Sequence, residues 1–220
     1  MILWLLVRRS LRQHLLSTVV TALSLALAGG YLTWRSLRTG PLPAGDLPSV
    51  TEIRDEAPLP AFALHGPRGE FNNGKLGGHW SFMFFGYTQC PDICPTALGL
   101  MKDVRATLAA SAAVAPAPTF QVVFVSVDPR RDTPQLLAEY MAAFDPSFIG
   151  ISGEDAALLP LAKSLGVYYR RNDLTDVRNY TVDHSAAIYL IDPRGRLAAV
   201  FSPPQEASKM AADFRRIARP

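Results

Sequence analysis

The chain of 220 residues has two cysteines, Cys90 and Cys94, separated by Pro91-Asp92-Ile93. As thiolates they are nucleophiles, reductants and soft metal ligands, so the pair points to thiol exchange, a disulfide or a metal site. A purely structural disulfide fits i, i+4 geometry, but closing so short a loop contributes only about 2 kcal/mol on the chain-entropy model. Thioredoxin-type exchange normally places two residues between the cysteines; this loop has three, which favours a metal. Two sulfurs leave a metal short of ligands, so a third donor is to be sought near them.

Of the four histidines, His14 stands in the N-terminal apolar region, His65 in a Gly/Pro turn and His79 after Gly77-Gly78. Those contexts suggest no ligand role. His184 differs, because Val182-Asp183-His184-Ser185 runs directly into the apolar segment Ala186 to Ile191, where a loop can fold over the cysteines. Two thiolates and one imidazole suit copper, Cu(I) above all, and zinc less decisively. The competing reading is a histidine that caps backbone groups at the entry to a strand.

The elements that must bring these residues together can be read from the flanking sequence. Trp80 to Phe85, a short aromatic run bounded by glycines, predicts a buried strand before the cysteines. After them, Pro95 suits a first helical position with Cys94 at the cap, where free N–H groups and the helix dipole favour a thiolate. Leu98, Met101, Val104 and Leu108 continue at helical spacing. Phe120 to Val127 is nearly continuous and β-branched, as in a parallel strand covered on both faces. Asp128 to Pro134 reads as a charged turn, with Thr133 as N-cap and Pro134 opening a helix that carries Leu137, Tyr140, Met141 and Phe144. Asp128 and Asp183 read as carboxylates that bond local backbone or face solvent.

Further along, the pattern predicts a strand at Phe148 to Ile151 and a helix from Glu154 to Leu165 that kinks or starts late at Pro160. Val167 to Tyr169 is strand-like and Arg170 to Asn179 reads as a surface loop. A hairpin is predicted around Asp192-Pro193-Arg194-Gly195, and a closing helix from Gln205 to Ile217. Phe62 to Phe71 forms an opening hairpin about Gly66-Pro67-Arg68-Gly69. This order predicts an α/β fold, a thioredoxin-like sandwich with an inserted strand–helix unit, its cysteine loop at an exposed edge of the sheet.

Leu15 to Trp34 carries no charged side chain, which predicts one N-terminal transmembrane helix ahead of that fold. Arg8, Arg9 and Arg12 before it and Arg35 and Arg38 after it favour a cytoplasmic N-terminus by a narrow margin, exporting the rest to the bacterial periplasmic side. The alternatives are a signal peptide cleaved near Ala26-Leu27-Ala28, or a buried core helix. No cysteine follows to support a lipid anchor. Residues 41–60 hold five prolines and read as a linker that can reach roughly 60 Å when extended. The expected division is therefore anchor 1–40, linker 41–60 and globular domain 61–220. The pI near 9.0 reflects five arginines in residues 1–40; without them the formal charge of +3 becomes −2, so no nucleic-acid partner is expected.

Three segments, Phe85-Gly86-Tyr87-Thr88-Gln89-Cys90-Pro91-Asp92-Ile93-Cys94-Pro95-Thr96, Val125-Ser126-Val127-Asp128-Pro129-Arg130-Arg131-Asp132-Thr133-Pro134 and Tyr180-Thr181-Val182-Asp183-His184-Ser185, together resemble the Sco (SenC) family of copper-delivery proteins. The resemblance implies copper, Cu(I) or Cu(II), held by Cys90, Cys94 and His184, and a role in assembling the dinuclear copper site of cytochrome c oxidase subunit II. A metallochaperone of this kind needs no enzymatic turnover. Gln89 stands where bacterial relatives often carry histidine, and no metal-binding role is expected of it. The alternatives are a thiol-disulfide oxidoreductase that reduces the cysteines of that subunit, with His184 as base or bystander, and a redox sensor.

Overall fold

A computed structural model of the chain describes residues 23–34, 50–53, 57–112, 118–172 and 179–218. The chain divides into two compact units, residues 1–47 and 48–220. In the first, residues 23–34 are helical (α1) with exposed side chains. The expected membrane span continues into residues 15–22, outside the described residues, as does His14; among the described residues no helix is long and apolar enough to cross a membrane.

The second unit is built on the two apolar runs that flank the cysteine loop. β4 (Trp80–Gly86) and β5 (Phe120–Ser126) pair in parallel, Trp80 opposite Phe120 through to Gly86 opposite Ser126. Because strand side chains alternate between faces, Phe82, Phe84, Val122 and Phe124 enter one core and Met83, Phe85, Val123 and Val125 the other. Phe82, Phe84, Phe85 and Phe124 are fully buried, each stabilising the fold by roughly 1.5–3 kcal/mol.

The connection between β4 and β5 is α3 (Ile93–Ala110), and that between β5 and the parallel β6 (Ile149–Ser152) is α4 (Pro134–Ala142). α4 starts as expected, with Thr133 Oγ1 accepting from Leu136 N at 3.2 Å and Pro134 in the first turn. α3 and α6 (Ala207–Ile217) cover the first face through Leu98, Met101, Met210 and Phe214; α5 (Asp155–Ser164) covers the second through Leu158 and Leu161. Helix α5 runs through Pro160 and begins after Glu154.

β9 (Ile188–Ile191) lies antiparallel beside β4, and β10 (Leu197–Phe201) beside β9, joined by the expected turn with Gly195 at φ +74°. β2 (Ala63–Gly66) and β3 (Gly69–Asn72) form the opening hairpin at the opposite edge, where His65 pairs with Ser152, and the one-turn helix α2 (Asn73–Leu76) follows. With β1 (Val50–Glu52) at one edge, the sheet order is β1-β10-β9-β4-β5-β6-β2-β3.

Part of the expected linker belongs to this sheet. β1 (Val50–Glu52) pairs with β10, Pro58 bridges to Arg196, and Leu59 is buried with its N–H donating to Gly195 O at 2.9 Å. A three-residue edge strand among prolines has too little alternation to register as a strand in sequence. A second departure lies beyond α5. Tyr169–Arg171 (β7) pairs antiparallel with Val182–His184 (β8) as a separate two-stranded ribbon, so the strand expected over Val167 to Tyr169 lies two residues later and takes in Arg170 and Arg171, expected as loop, while Val167 and Tyr168 stand outside any strand.

Candidate metal centre

The cysteine loop leaves the carboxyl end of β4, the end of a parallel sheet at which ligand sites form. A Cβ on Gly86 would stand 2.5 Å from Cys94 Sγ and 2.9 Å from the Phe124 ring, so glycine is what lets the sulfur lie against the strand end. From the turn after β5, Asp132 pins the loop. Thr88 N and Oγ1 donate to its Oδ2 and Oδ1 at 2.9 and 2.6 Å, and Ser126 Oγ donates to Oδ2 at 2.6 Å. Burial raises the Asp132 pKa, opposed by these same bonds to the ionised form.

Helix α3 begins two residues earlier than Pro95 suggested. Asp92 is the cap and makes no side-chain capping bond, Cys94 lies inside the first turn, and Pro95 is the third helical residue. The position of the thiolate changes accordingly. Cys94 is buried, whereas half-buried Cys90 accepts hydrogen bonds from the Cys94 thiol and from the N–H groups of Asp92 and Cys94. The Cys94 hydrogen bond is the largest influence, and together they hold Cys90 down to about 4 against the cost of burial. Cys94 is pushed up, first by donating to Cys90 and then by burial. The free pair thus shares one proton, carried on Cys94.

His184 reaches the cysteines through the topology. β9 begins with Ile188 opposite Phe84, so the chain entering β9 passes the end of β4. His184 is the last residue of β8, not part of a loop, and half-buried. Its Nδ1 donates to Ser185 O at 3.1 Å, which leaves Nε2 as the free donor atom, 3.4 Å from Cys94 Sγ. The ring meets Phe84 and Tyr87 edge-on at centroid distances of 5.8 and 5.9 Å.

The ribbon carrying His184 is held by charges that sequence reasoning passed over. Arg171 on β7 donates through Nε and Nη2 to Val127 O at 3.0 and 2.6 Å, and pairs twice with Asp155 at 2.8 and 2.9 Å. Asp128 is fully buried, and its carboxylate does not cap local backbone as expected: it accepts from Arg131 Nε and from Tyr180 Oη, with Arg171 Nε 3.9 Å away. Four charged residues between Val127 and Thr133 were the available signal, since a turn so charged between two buried elements has to pair its charges. Asp183 is exposed and faces Arg170 at 3.4 Å, consistent with a solvent-facing carboxylate. Gln89 Oε1 accepts from Arg131 Nη1 at 3.1 Å. His65 and His79 are exposed and outside the cluster.

Cys90 Sγ, Cys94 Sγ and a ring nitrogen of His184 all lie within 4.8 Å of one another, the one such group of metal-ligating side chains among the described residues. Ligands bound at about 2.0–2.3 Å to one ion stand at most roughly 4.6 Å apart, so a contraction of a few tenths of an ångström suffices. Two soft sulfurs and an imidazole at the mouth of a sheet suit a soft, low-coordinate ion.

A thioredoxin-like α/β sandwich with a Cys-Cys-His cluster at the carboxyl end of its parallel strands is a class with solved members. Arabidopsis thaliana ScoI with copper bound superposes with a TM-score of 0.66 at 29% identity, covering 73% of this chain and 98% of that one. Bradyrhizobium japonicum ScoI with copper bound gives 0.63 at 35% identity, covering 73% and 99%. The SCO1/SenC family model matches residues 51–219, and the chain belongs to that family. An SCO2-like protein of Rickettsia prowazekii is 41% identical over 138 residues, 61% of this chain and 64% of the relative, so the chain spans just under two thirds of that protein's length. Sco proteins are described as a family of cytochrome c oxidase assembly proteins.

Proposed function

We propose that this chain is a membrane-anchored copper chaperone that binds copper through Cys90, Cys94 and His184 and hands it to the dinuclear copper site of cytochrome c oxidase subunit II. The observation that carries the reading is the convergence of two sulfurs and one imidazole within 4.8 Å. Copper is cargo here. Cys90 enters as thiolate, Cys94 releases its proton as copper binds, and the Ser185 carbonyl keeps the imidazole turned with Nε2 toward the sulfurs. Three ligands leave one side open to an incoming donor, so transfer proceeds by stepwise ligand exchange with no chemical turnover.

An apolar groove of about 270 Å³, lined by Ile93, Ala97, Leu100, Ala186 and Pro203, runs beside the loop and offers a partner a surface to rest on. The uncharged run Leu15 to Trp34 supports an anchor, with the copper domain on the periplasmic side of a bacterial inner membrane. A second reading, reduction of the recipient's cysteines, is favoured by the low pKa of Cys90, which makes it a competent attacking thiolate. Mixing the copper-loaded full chain with the copper-free soluble domain of subunit II separates the two. Delivery predicts that copper leaves this chain and the recipient acquires its dinuclear signature. Loss of the recipient's disulfide as Cys90 and Cys94 of this chain become a disulfide, with no copper acquired by the recipient, would instead establish the reductase.

A further inference from the structure

The three ligands come from two segments ninety residues apart in sequence, and one side chain touches both. Arg131 is 8% exposed. Its Nε donates to Asp128, and its Nη1 donates to Gln89 Oε1 at 3.1 Å, on the residue before Cys90, and to Tyr180 O at 2.9 Å, four residues before His184. The guanidinium lies 3.6 Å from the Tyr180 ring centroid and 5.5 Å from that of Tyr87, and the Tyr87 ring meets the His184 ring edge-on. Nη2 is buried and finds no partner among the described residues.

A planar fork with fixed donor directions can hold three segments at set distances, which a lysine ammonium cannot. The next residue, Asp132, pins the cysteine loop alone, so the same turn fixes one half of the site and links it to the other. We infer that Arg131 is a positioning residue that sets the distance between the sulfur pair and the His184 imidazole, and thereby decides whether copper is held by three ligands or two. This rests on the copper reading above.

The test loads the reduced full chain with copper and compares wild type, His184→Ala, Arg131→Met and Arg131→Lys. Measured are copper stoichiometry, affinity against a competing chelator, the sulfur-to-copper charge-transfer band, and nitrogen hyperfine coupling in the Cu(II) form. The expected result is one copper per chain in all four, with Arg131→Met losing the nitrogen coupling and binding roughly 10- to 100-fold more weakly, the range for residues that orient metal ligands. Arg131→Lys should fall between it and wild type. If Arg131→Met does not fold, Arg131→Lys and Gln89→Ala carry the test through the same hyperfine signal. Wild-type spectra and affinity in the Arg131 variants, while His184→Ala differs from wild type, would overturn this inference alone. No difference between wild type and His184→Ala would overturn the three-ligand reading and this inference with it.

Discussion

The two halves of the site are held in different ways. The sulfur half sits on the end of β4, in a sheet buried on both faces, with Gly86 against Cys94 and Asp132 locking the loop from the turn after the neighbouring strand. The imidazole half sits on a two-stranded ribbon of three residues per strand, outside the main sheet, tethered by Arg171, Arg131 and Asp128. An isolated two-stranded ribbon is marginal in water, so its place depends on those polar contacts and on Tyr180 and Val182, which are buried in the second core. A carrier that must grip and release an ion gains from this asymmetry: the sulfurs keep their geometry while the histidine is the ligand most easily withdrawn.

The comparison breaks most visibly at Asp128. Asp128→Ala leaves the buried Arg131 guanidinium facing no acid and the Tyr180 hydroxyl without its acceptor, while Arg171 keeps Asp155; this should destabilise the fold by about 3–5 kcal/mol and release the ribbon before the sheet, seen as earlier hydrogen exchange in β7 and β8. Equal exchange in ribbon and sheet would remove the distinction. On the sulfur side, Gly86→Ala places a methyl group within contact of Cys94 and Phe124, and a loss of about 1–3 kcal/mol in thermal or denaturant unfolding is expected.

The thiols themselves sharpen the contrast. Cys90 is thiolate above its folded value of about 4, and free thiols ordinarily become so near 8.5. In the reduced, metal-free protein one cysteine should therefore alkylate at a nearly constant rate from neutral pH down to about 5, slowing only as pH falls toward 4. Mapping by mass spectrometry should locate that label on Cys90, and labelling of Cys94 first would reverse the assignment. The smallest effect is expected at Asp183, an exposed carboxylate. Asp183→Asn should change stability by less than about 0.5 kcal/mol and leave copper affinity unaltered in a chelator competition.

The same asymmetry governs what could be read in the sequence. Around the cysteines the information is local: an aromatic run for β4, apolar spacing for α3, Thr133-Pro134 for the start of α4. Even there, Pro95 suggested the wrong cap, because a proline is tolerated anywhere in the first turn, where N–H groups lack intrahelical partners. Around His184 the information is long-range. Arg170-Arg171 carries no apolar side chain and reads as loop after the strand-like Tyr169; it is strand because Arg171 is drawn to the Val127 carbonyl and Asp155. Asp128 looks like any turn carboxylate until Tyr180 and Arg171 arrive from elsewhere to join Arg131 of its own turn. β1 is legible only through its partner β10.

The central claim is that one ion is gripped by both halves at once, and titrating the reduced full chain with copper while recording X-ray absorption at the copper edge tests it most directly. The account predicts one copper per chain with two sulfur neighbours and one nitrogen neighbour in the wild type, and loss of the nitrogen in His184→Ala. A wild-type spectrum with sulfur neighbours only, unchanged by His184→Ala, would contradict it.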